Sequence, residues 1–260
     1  MQIVCMAFVI CMVPVAPMRK EEAHRSEMVS QLLFGEIAEV LEESKQFTKL
    51  RCVYDGYEGW CQSSQLCVID DEQAANNGRQ LTNEWDTLIR FNQQPMHLSL
   101  GSSLGLLQDG GAKIAQFEFS SSGMSYDPSS AIISAGAIKE RAFQYLNTPY
   151  LWGGRSVWGI DCSGFAQQVF RFFDRPLLRD AYLQAGEGEA VGFLQEAGCG
   201  DLAFFDNEEG RITHVGILLD PSTIIHSAGK VRVDKIDQAG IINSDTGERT
   251  HKLRIIKRYF

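Results

Sequence analysis

The stretch Thr148–Phe173, TPYLWGGRSVWGIDCSGFAQQVFRFF, constrains this chain more than any other. A proline ends what precedes it, Gly153-Gly154 break an aromatic loop, and Asp161-Cys162-Ser163-Gly164-Phe165 open an apolar run. Phe165, Ala166, Val169, Phe170, Phe172 and Phe173 recur at three- and four-residue steps, the spacing of a buried helix. Cys162 then stands at or just before the first turn. Unpaired backbone N–H groups and the positive end of the dipole favour an anion there. A thiol so placed has its thiolate stabilised, and the thiolate is the nucleophile. Taken alone, the stretch fits two readings equally: a nucleophile, or a small buried cysteine starting a core helix.

The 260 residues suffice for one large domain or two to three small ones. With 44% hydrophobic and 22% charged residues, the composition is that of an ordinary soluble globular protein. A net charge of −9 argues against nucleic acid as a partner, because phosphate binding needs a basic surface. Seven cysteines, an odd number with no C-x-x-C, read as reduced and mostly buried side chains. They point to a reducing compartment, and the expected location is the cytoplasm; a trimmed natural leader would make it periplasmic or exported. The apolar run Ile3–Val13 is too short to span a bilayer, so no membrane span is expected. No Lys or Arg precedes it and Ile10 stands before Cys11, so it reads as a buried strand rather than a signal peptide.

Residues 1–69 read as short strands, Val4–Val15, Leu32–Leu41, Phe47–Tyr54 and Gly59–Cys61, broken by Gly35, Asp55-Gly56 and Gly59. Several short strands at this spacing suggest a small barrel. Within 70–132, residues 70–94 read as a polar linker, with a short helix over Leu81–Phe91, and residues 95–127 as a second β-rich block. Its expected strands are Leu104–Leu107 and Ala112–Phe119, its turn Asp109-Gly110-Gly111 and its loop Ser120–Gly123. From Ser134, a plausible N-cap, Ile138, Ala142, Tyr145 and Leu146 form a helical stripe that Asn147-Thr148-Pro149 stops. After the opening helix come strands over Asp201–Asp206, Ile212–Leu219, Thr223–Ser227 and Lys252–Tyr259. Helices followed by strands, over 133–260, indicate an α+β domain.

A catalytic cysteine needs a base and a third group to orient that base. Of five histidines, His214 and His226 fall in adjacent strand candidates joined by the turn signal Asp220-Pro221-Ser222. Successive side chains of a strand alternate faces. A five-residue connection, Leu219–Thr223, pairs Leu218 with Ile224 and sets His226 diagonal to His214, within side-chain reach. A two- or four-residue connection would split the pair across faces. His24, His97 and His251 read as surface residues. No metal site is expected, since neither C-x-x-C nor H-E-x-x-H occurs. No phosphate loop or dinucleotide fingerprint occurs either, and no cofactor is expected.

Five motifs in order carry a resemblance. Pro149-Tyr150-Leu151-Trp152-Gly153-Gly154, Asp161-Cys162-Ser163-Gly164-Phe165, Gly200-Asp201-Leu202-Ala203-Phe204-Phe205, His214-Val215-Gly216-Ile217 and Ile225-His226 resemble the NlpC family of bacterial cell-wall cysteine peptidases. The gaps fit too, 52 residues from Cys162 to His214 and 12 from His214 to His226. Pro17-Met18-Arg19, Leu33-Phe34-Gly35-Glu36 and Gly56-Tyr57-Glu58-Gly59-Trp60 are similar, more weakly, to the bacterial SH3-like domains that often precede such peptidases. The fold implied is α+β: a papain-like cysteine peptidase domain over 133–260, preceded by two small SH3-like β-barrels, one over 1–69 and a divergent one within 70–132.

The resemblance implies hydrolysis of the γ-D-Glu–diamino acid bond in murein-derived peptides with a free N-terminal L-Ala, such as L-Ala-γ-D-Glu-diaminopimelate, by a monomer. Cys162 is then the nucleophile, His214 the base and His226 its orienter, with Tyr150 as oxyanion donor. Asp161, Ser163, Asp180 and Trp152 match substrate-binding positions, and Glu36 and Tyr57 match first-domain residues that meet the free amine. The sequence departs at Ala181, where Ser is usual after Arg179-Asp180, so one substrate hydrogen bond is in doubt. Two alternatives remain at this point: a cell-wall-binding protein with an inactive peptidase fold, or another amidase or acyl-transfer reaction on the same fold.

Overall fold

The computed structural model describes residues 7–107, 110–121 and 125–260. The expected strand start Val4–Met6, with Cys5, lies outside the described residues, as do Asp109 of the expected turn and Ser122–Gly123 of the expected loop. The chain divides into two compact units, Met1–Ser130 and Ala131–Phe260.

The first unit opens with seven antiparallel strands: β1 (Phe8–Cys11), β2 (Val15–Arg19), β3 (Met28–Leu33), β4 (Ile37–Glu43), β5 (Phe47–Cys52), β6 (Glu58–Gln62) and β7 (Leu66–Ile69). Their order in the sheet is β3-β2-β6-β5-β4-β1-β7. Strand β1 is apolar at every position because both its faces are covered. Val9 and Cys11 join a cluster with Ala16, Met18, Leu32 and Leu50, while Ile10 joins a second one with Phe34, Ile37, Ile89, Leu98 and Phe119. Within the described part of the apolar run, Phe8–Cys11 is thus a largely buried strand, while Ala7, Met12 and Val13 lie outside it.

Residues 70–94 depart from the expectation of a linker with a helix over Leu81–Phe91. The helix is α1 (Asp71–Ala75), capped by Asp70, whose carboxylate accepts the Gln73 N–H while Gln73 accepts the Asp70 N–H. Leu81–Phe91 instead forms β8 (Leu81–Thr82) and β9 (Asp86–Phe91). In β9, Thr87 and Ile89 are buried between exposed neighbours, a period of two that fixes a strand. Then come β10 (Gln94–Ser99), β11 (Gly111–Ile114), β12 (Phe117–Ser120) and β13 (Ser125–Tyr126), with β10-β9-β12-β11 as one sheet and β13-β8 as a ribbon. Leu104–Leu107 is a turn, closed by the Leu107 N–H on the Leu104 carbonyl, rather than a strand. Ala112–Phe119 is a hairpin rather than one strand, because Ala115 takes a positive φ of 53°. This block shares its core with the preceding sheet.

The second unit begins with α2 (Ala135–Gln144), capped by Ser134, whose hydroxyl accepts the Ala137 N–H, and ended before Asn147 at φ 67°. A short hairpin, β14 (Arg155–Ser156) and β15 (Gly159–Ile160), leads into α3 (Cys162–Arg171), and α4 (Ala181–Gln184) follows. The sheet comprises β16 (Glu189–Val191), β17 (Leu202–Asp206), β18 (Ile212–Asp220), β19 (Thr223–Ala228), β20 (Lys230–Asp237), β21 (Gly240–Ile242) and β22 (Arg249–Arg258), in the order β16-β22-β17-β18-β19-β20-β21. Strand β21 also pairs with β22, so the six strands from β22 to β21 close on themselves.

Helix α3 is buried along nine of its ten residues and packs on β18 and β19. Burying each of Phe165 and Phe170 stabilises the unit by about 1.5–3 kcal/mol. Ala203, Phe205, Leu218, Ile224 and Ile236 form a separate cluster of the closed sheet. Among the described residues no helix is long and apolar enough to cross a membrane.

Candidate active site

Cys162 is the first residue of α3, and Asp161 before it is the cap. The Asp161 backbone is extended, at φ −91° and ψ 179°, and Oδ1 accepts the Gly164 N–H at 2.7 Å. Oδ2 accepts the Gly153 N–H at 2.9 Å, which ties the glycine loop to the helix start. Arg179, 1% exposed, forks onto the same carboxylate at 3.0 and 2.5 Å and donates to Ser163 Oγ at 2.9 Å. Ser163 in turn donates to Asp161 Oδ1 at 3.3 Å. Gly164 allows this close approach: a Cβ there would lie 2.3 Å from the Gly154 carbonyl oxygen. Helix α4 seats on α3 through Gln184 Nε2, which donates to the Ser163 and Leu178 carbonyls.

Cys162 is 7% exposed, and burial pushes its thiol up to about 12, with the Asp161 charge adding to the rise. The backbone N–H groups of Val215 and Ser163 and the Arg179 charge pull the other way. The helix-start stabilisation expected from the sequence is therefore present but outweighed by desolvation. The resting group is a neutral thiol facing the backbone of β18 at the residue after His214.

The hairpin of β18 and β19 pairs Leu218 with Ile224, the register expected from parity. The five-residue connection itself does not form: Asp220 pairs with Thr223 across the two residues Pro221 and Ser222, and the bulge between Leu218 and Asp220 keeps both histidines on one face. Gly216 then stands opposite His226, so His214, two residues back, is its diagonal neighbour on the same face. Nε2 of His214 lies 2.8 Å from Nδ1 of His226, and Nε2 of His226 lies 2.9 Å from Oδ2 of Asp234 on β20. His214, His226 and Asp234 are all buried. Burial, and then the neighbouring His226 and His251 rings, push the His214 imidazole well below its ordinary value.

Three of these neighbours carried no weight in the sequence. Asp234 is held by Arg232, which donates at 2.8 and 2.9 Å, and by the Ser244 N–H at 2.8 Å. His251, expected at the surface, stacks on His214 with ring centroids 4.1 Å apart, and burial pushes it down to about 4. Arg179 was seen only as part of a motif. Asp234 reaches the site through strand pairing: it stands two residues beyond Arg232, the cross-strand partner of His226.

Tyr150 precedes the glycine loop, its N–H donating to the Gly229 carbonyl. Its hydroxyl is pushed up to about 12, chiefly by burial, so it is a proton donor at neutral pH. Trp152 is 60% exposed on the same loop. Asp180 is the residue before α4, and Ala181 begins that helix. The fold therefore brings Tyr150, Asp161, Cys162 and Ser163 together at one end of α3, with His214 and His226 on the strands it packs against. Glu36 and Tyr57 belong to the first unit. Glu36 is buried in the turn between β3 and β4, accepting the Leu33 N–H at 2.9 Å, and Tyr57 donates its N–H to Asp55 Oδ1 at 3.0 Å.

Residues 147–250 match the NlpC/P60 family, and residues 18–66 match the bacterial dipeptidyl-peptidase Sh3 domain. A gamma-D-glutamyl-L-lysine dipeptidyl-peptidase of Bacillus subtilis is 42% identical over 98 residues, which cover 37% of this chain and 31% of that protein. Dipeptidyl-peptidase 6 of Lysinibacillus sphaericus is 24% identical over 273 residues, covering 89% of this chain and 92% of that one. The match spans about a third of the length of the Bacillus subtilis relative and of a Bacillus cereus one. Among solved structures, an NlpC/P60 family protein from Bacillus cereus shares the fold at a TM-score of 0.82 and 18% identity, over 97% of this chain and 99% of that one. The papain-like arrangement and the SH3-type domain ahead of it are thus both present: residues 147–250 form a domain of the NlpC/P60 family, and residues 18–66 a bacterial SH3-type domain.

Proposed function

We propose that this chain hydrolyses the amide between the γ-carboxyl of D-Glu and the diamino acid in murein-derived peptides that begin with a free L-Ala. The observation that carries the reading is a thiol at a helix start, facing the strand of an imidazole that is itself hydrogen-bonded to a second imidazole at 2.8 Å. The names of the relatives, gamma-D-glutamyl-L-lysine dipeptidyl-peptidases, support the bond and the substrate class.

In this reading Cys162 Sγ attacks the γ-carbonyl carbon as its proton passes to His214. The oxyanion is met by the Tyr150 hydroxyl. His214 then returns the proton to the leaving amine of the diamino acid, giving a thioester and a free amine. Water, activated by His214, hydrolyses the thioester and frees the thiol. Because thiol and imidazole both rest neutral, the charge pair forms only as the substrate is attacked.

Asp161 and Ser163 serve substrate binding through the loop they hold, since their side chains already bond Arg179, Gly153 and Gly164. Trp152 and Asp180 are assigned to the substrate, and Glu36 and Tyr57 to its amine, on the likeness of their motifs. Residues 70–132 are read as a linker plus a divergent second SH3-like domain.

The test is mass analysis of products from L-Ala-γ-D-Glu-diaminopimelate and its L-Lys counterpart, each with a free and an acetylated amine. Release of L-Ala-γ-D-Glu from the free-amine peptides, absent in Cys162→Ala, is expected. Intact peptides after prolonged incubation with wild type would refute the assignment.

A further inference from the structure

We propose that Asp234 is a positioning residue for the reaction: it fixes which ring nitrogens of His226 and His214 carry hydrogen, and so leaves Nδ1 of His214 as the base. The inference rests on the reading of Cys162 and His214 as the reacting pair.

The sheet register makes the arrangement. His226 on β19 is opposite Arg232 on β20, so Asp234 lies on the diagonal one step further along the same face. His214 lies on the other diagonal, through Gly216. Two diagonals give one line of polar groups across three adjacent strands, all of it buried.

The donors and acceptors around the pair assign the hydrogens once each ring carries one. Oδ1 of Asp234 accepts the Ser244 N–H at 2.8 Å and Arg232 Nη2 at 2.9 Å. Oδ2 accepts Arg232 Nε at 2.8 Å and faces His226 Nε2 at 2.9 Å. Burial alone would raise this carboxyl, but the bonds from His226 and Arg232 outweigh it and hold it well below the usual carboxylate range. An ionised carboxylate only accepts, so the hydrogen at that contact is on His226 Nε2. With one hydrogen on each ring, the one on Nε2 leaves His226 Nδ1 bare. It lies 2.8 Å from His214 Nε2, which must therefore carry the hydrogen. That leaves His214 Nδ1 bare and basic.

The groups facing His226 are His214 on β18, Arg232 and Asp234 on β20, and His251 on β22, with ring centroids 5.8 Å apart for the last. Beyond Arg232, Asp245 lies 3.0 Å away and offsets the remaining positive charge. When Cys162 Sγ bonds to the carbonyl carbon, its proton goes to His214 Nδ1. The new imidazolium keeps its Nε2 hydrogen on His226, and His226 keeps its own on Asp234. No proton reaches the carboxylate, whose charge stabilises the imidazolium through the intervening ring. Without Asp234, His226 can present a hydrogen at Nδ1. His214 would then accept at Nε2 and carry its hydrogen on Nδ1, where the base is needed.

The test is the nitrogen-15 imidazole spectrum of the full chain near neutral pH, with kinetics of Asp234→Asn. Wild type should show hydrogen on Nε2 of both His214 and His226. In Asp234→Asn, His226 should change tautomer and kcat should fall by roughly 10²-fold with KM nearly unchanged. A serine triad whose carboxylate touches the base directly loses about 10⁴-fold for the same change. A wild-type His226 with hydrogen on Nδ1 overturns the proposal, whether or not the variant folds. So does a folded Asp234→Asn with wild-type kcat and tautomers. The spectrum and the rate at which iodoacetamide alkylates Cys162 need no murein peptide, so they are read even if the substrate assignment fails. Slowed alkylation in the variant supports the proposal; an unchanged rate with unchanged tautomers refutes it.

Discussion

Gly216 stands directly opposite His226 in the β18–β19 ladder, and a Cβ on it would lie 2.8 Å from the His226 Cβ and 2.7 Å from Ile224 Cδ1. The absent side chain is what lets the second imidazole lie flat enough on the sheet to reach the first. Gly216→Ala should therefore displace His226 rather than merely crowd a core. We expect kcat to fall by at least tenfold while KM moves little, with a stability loss of about 1–3 kcal/mol from overpacking. Urea unfolding and steady-state kinetics on one preparation separate the two effects. An active variant with unaltered kcat would show that the ring tolerates the shift.

The Arg179–Asp161 pair is the fastening of the opening loop. Both side chains are nearly inaccessible, and the carboxylate also caps α3. Removing one member of a buried pair strands the other, at a cost of about 3–5 kcal/mol. Arg179→Met should lose about that much in chemical denaturation. Arg179→Lys should recover only part of it, because an ammonium cannot fork onto both oxygens and Ser163 together. Full stability in the Met variant would mean that the Gly153 and Gly164 N–H groups and the Ser163 hydroxyl suffice to hold Asp161.

The histidine cluster gives stability a pH dependence of known sign. His214 and His251 both titrate below the unfolded value of 6.5 in the folded chain, His251 at about 4. Between the folded and unfolded values the unfolded chain binds more protons, so stability rises with pH. The contribution is whole above about pH 6.5 and is lost as pH falls through the folded values. Its slope is at most about 1.4 kcal/mol per pH unit for each group. Denaturation midpoints at pH 7, 6 and 5 should decline more steeply in wild type than in His251→Phe, which keeps a ring against His214 but cannot titrate. Equal slopes in the two proteins would assign the loss to other groups.

What the sequence made legible is what local pattern encodes. The helix behind Cys162 has its own period, and the His214–His226 hairpin has a parity that a turn signal and two apolar runs determine. Asp234 was not legible because β20, KVRVDKID, carries charge at five of its eight positions and resembles a surface loop. Only its pairing with β19 shows that Asp234 points inward while Lys235 does not. The neutral resting thiol was missed for a related reason. A helix start argues for a thiolate, but how deeply the sulfur is buried depends on β18, which lies some fifty residues further along the chain. His251, likewise, reaches His214 only because the sheet closes on itself through β22.

Tyr150 offers the most direct check of the chemistry. Burial pushes its hydroxyl up to about 12, with the Asp161 carboxylate adding to the rise. A donor so placed acts only once the carbonyl oxygen becomes an oxyanion. Tyr150→Phe keeps the ring and removes the donor, so kcat should fall by roughly 10²–10³-fold with KM little changed. Alkylation of Cys162 by iodoacetamide, which forms no oxyanion, should proceed at close to the wild-type rate. If both rates fell together, Tyr150 would be acting on the thiol or on the position of α3. If neither fell, the oxyanion would be held by backbone N–H groups at the start of α3 instead.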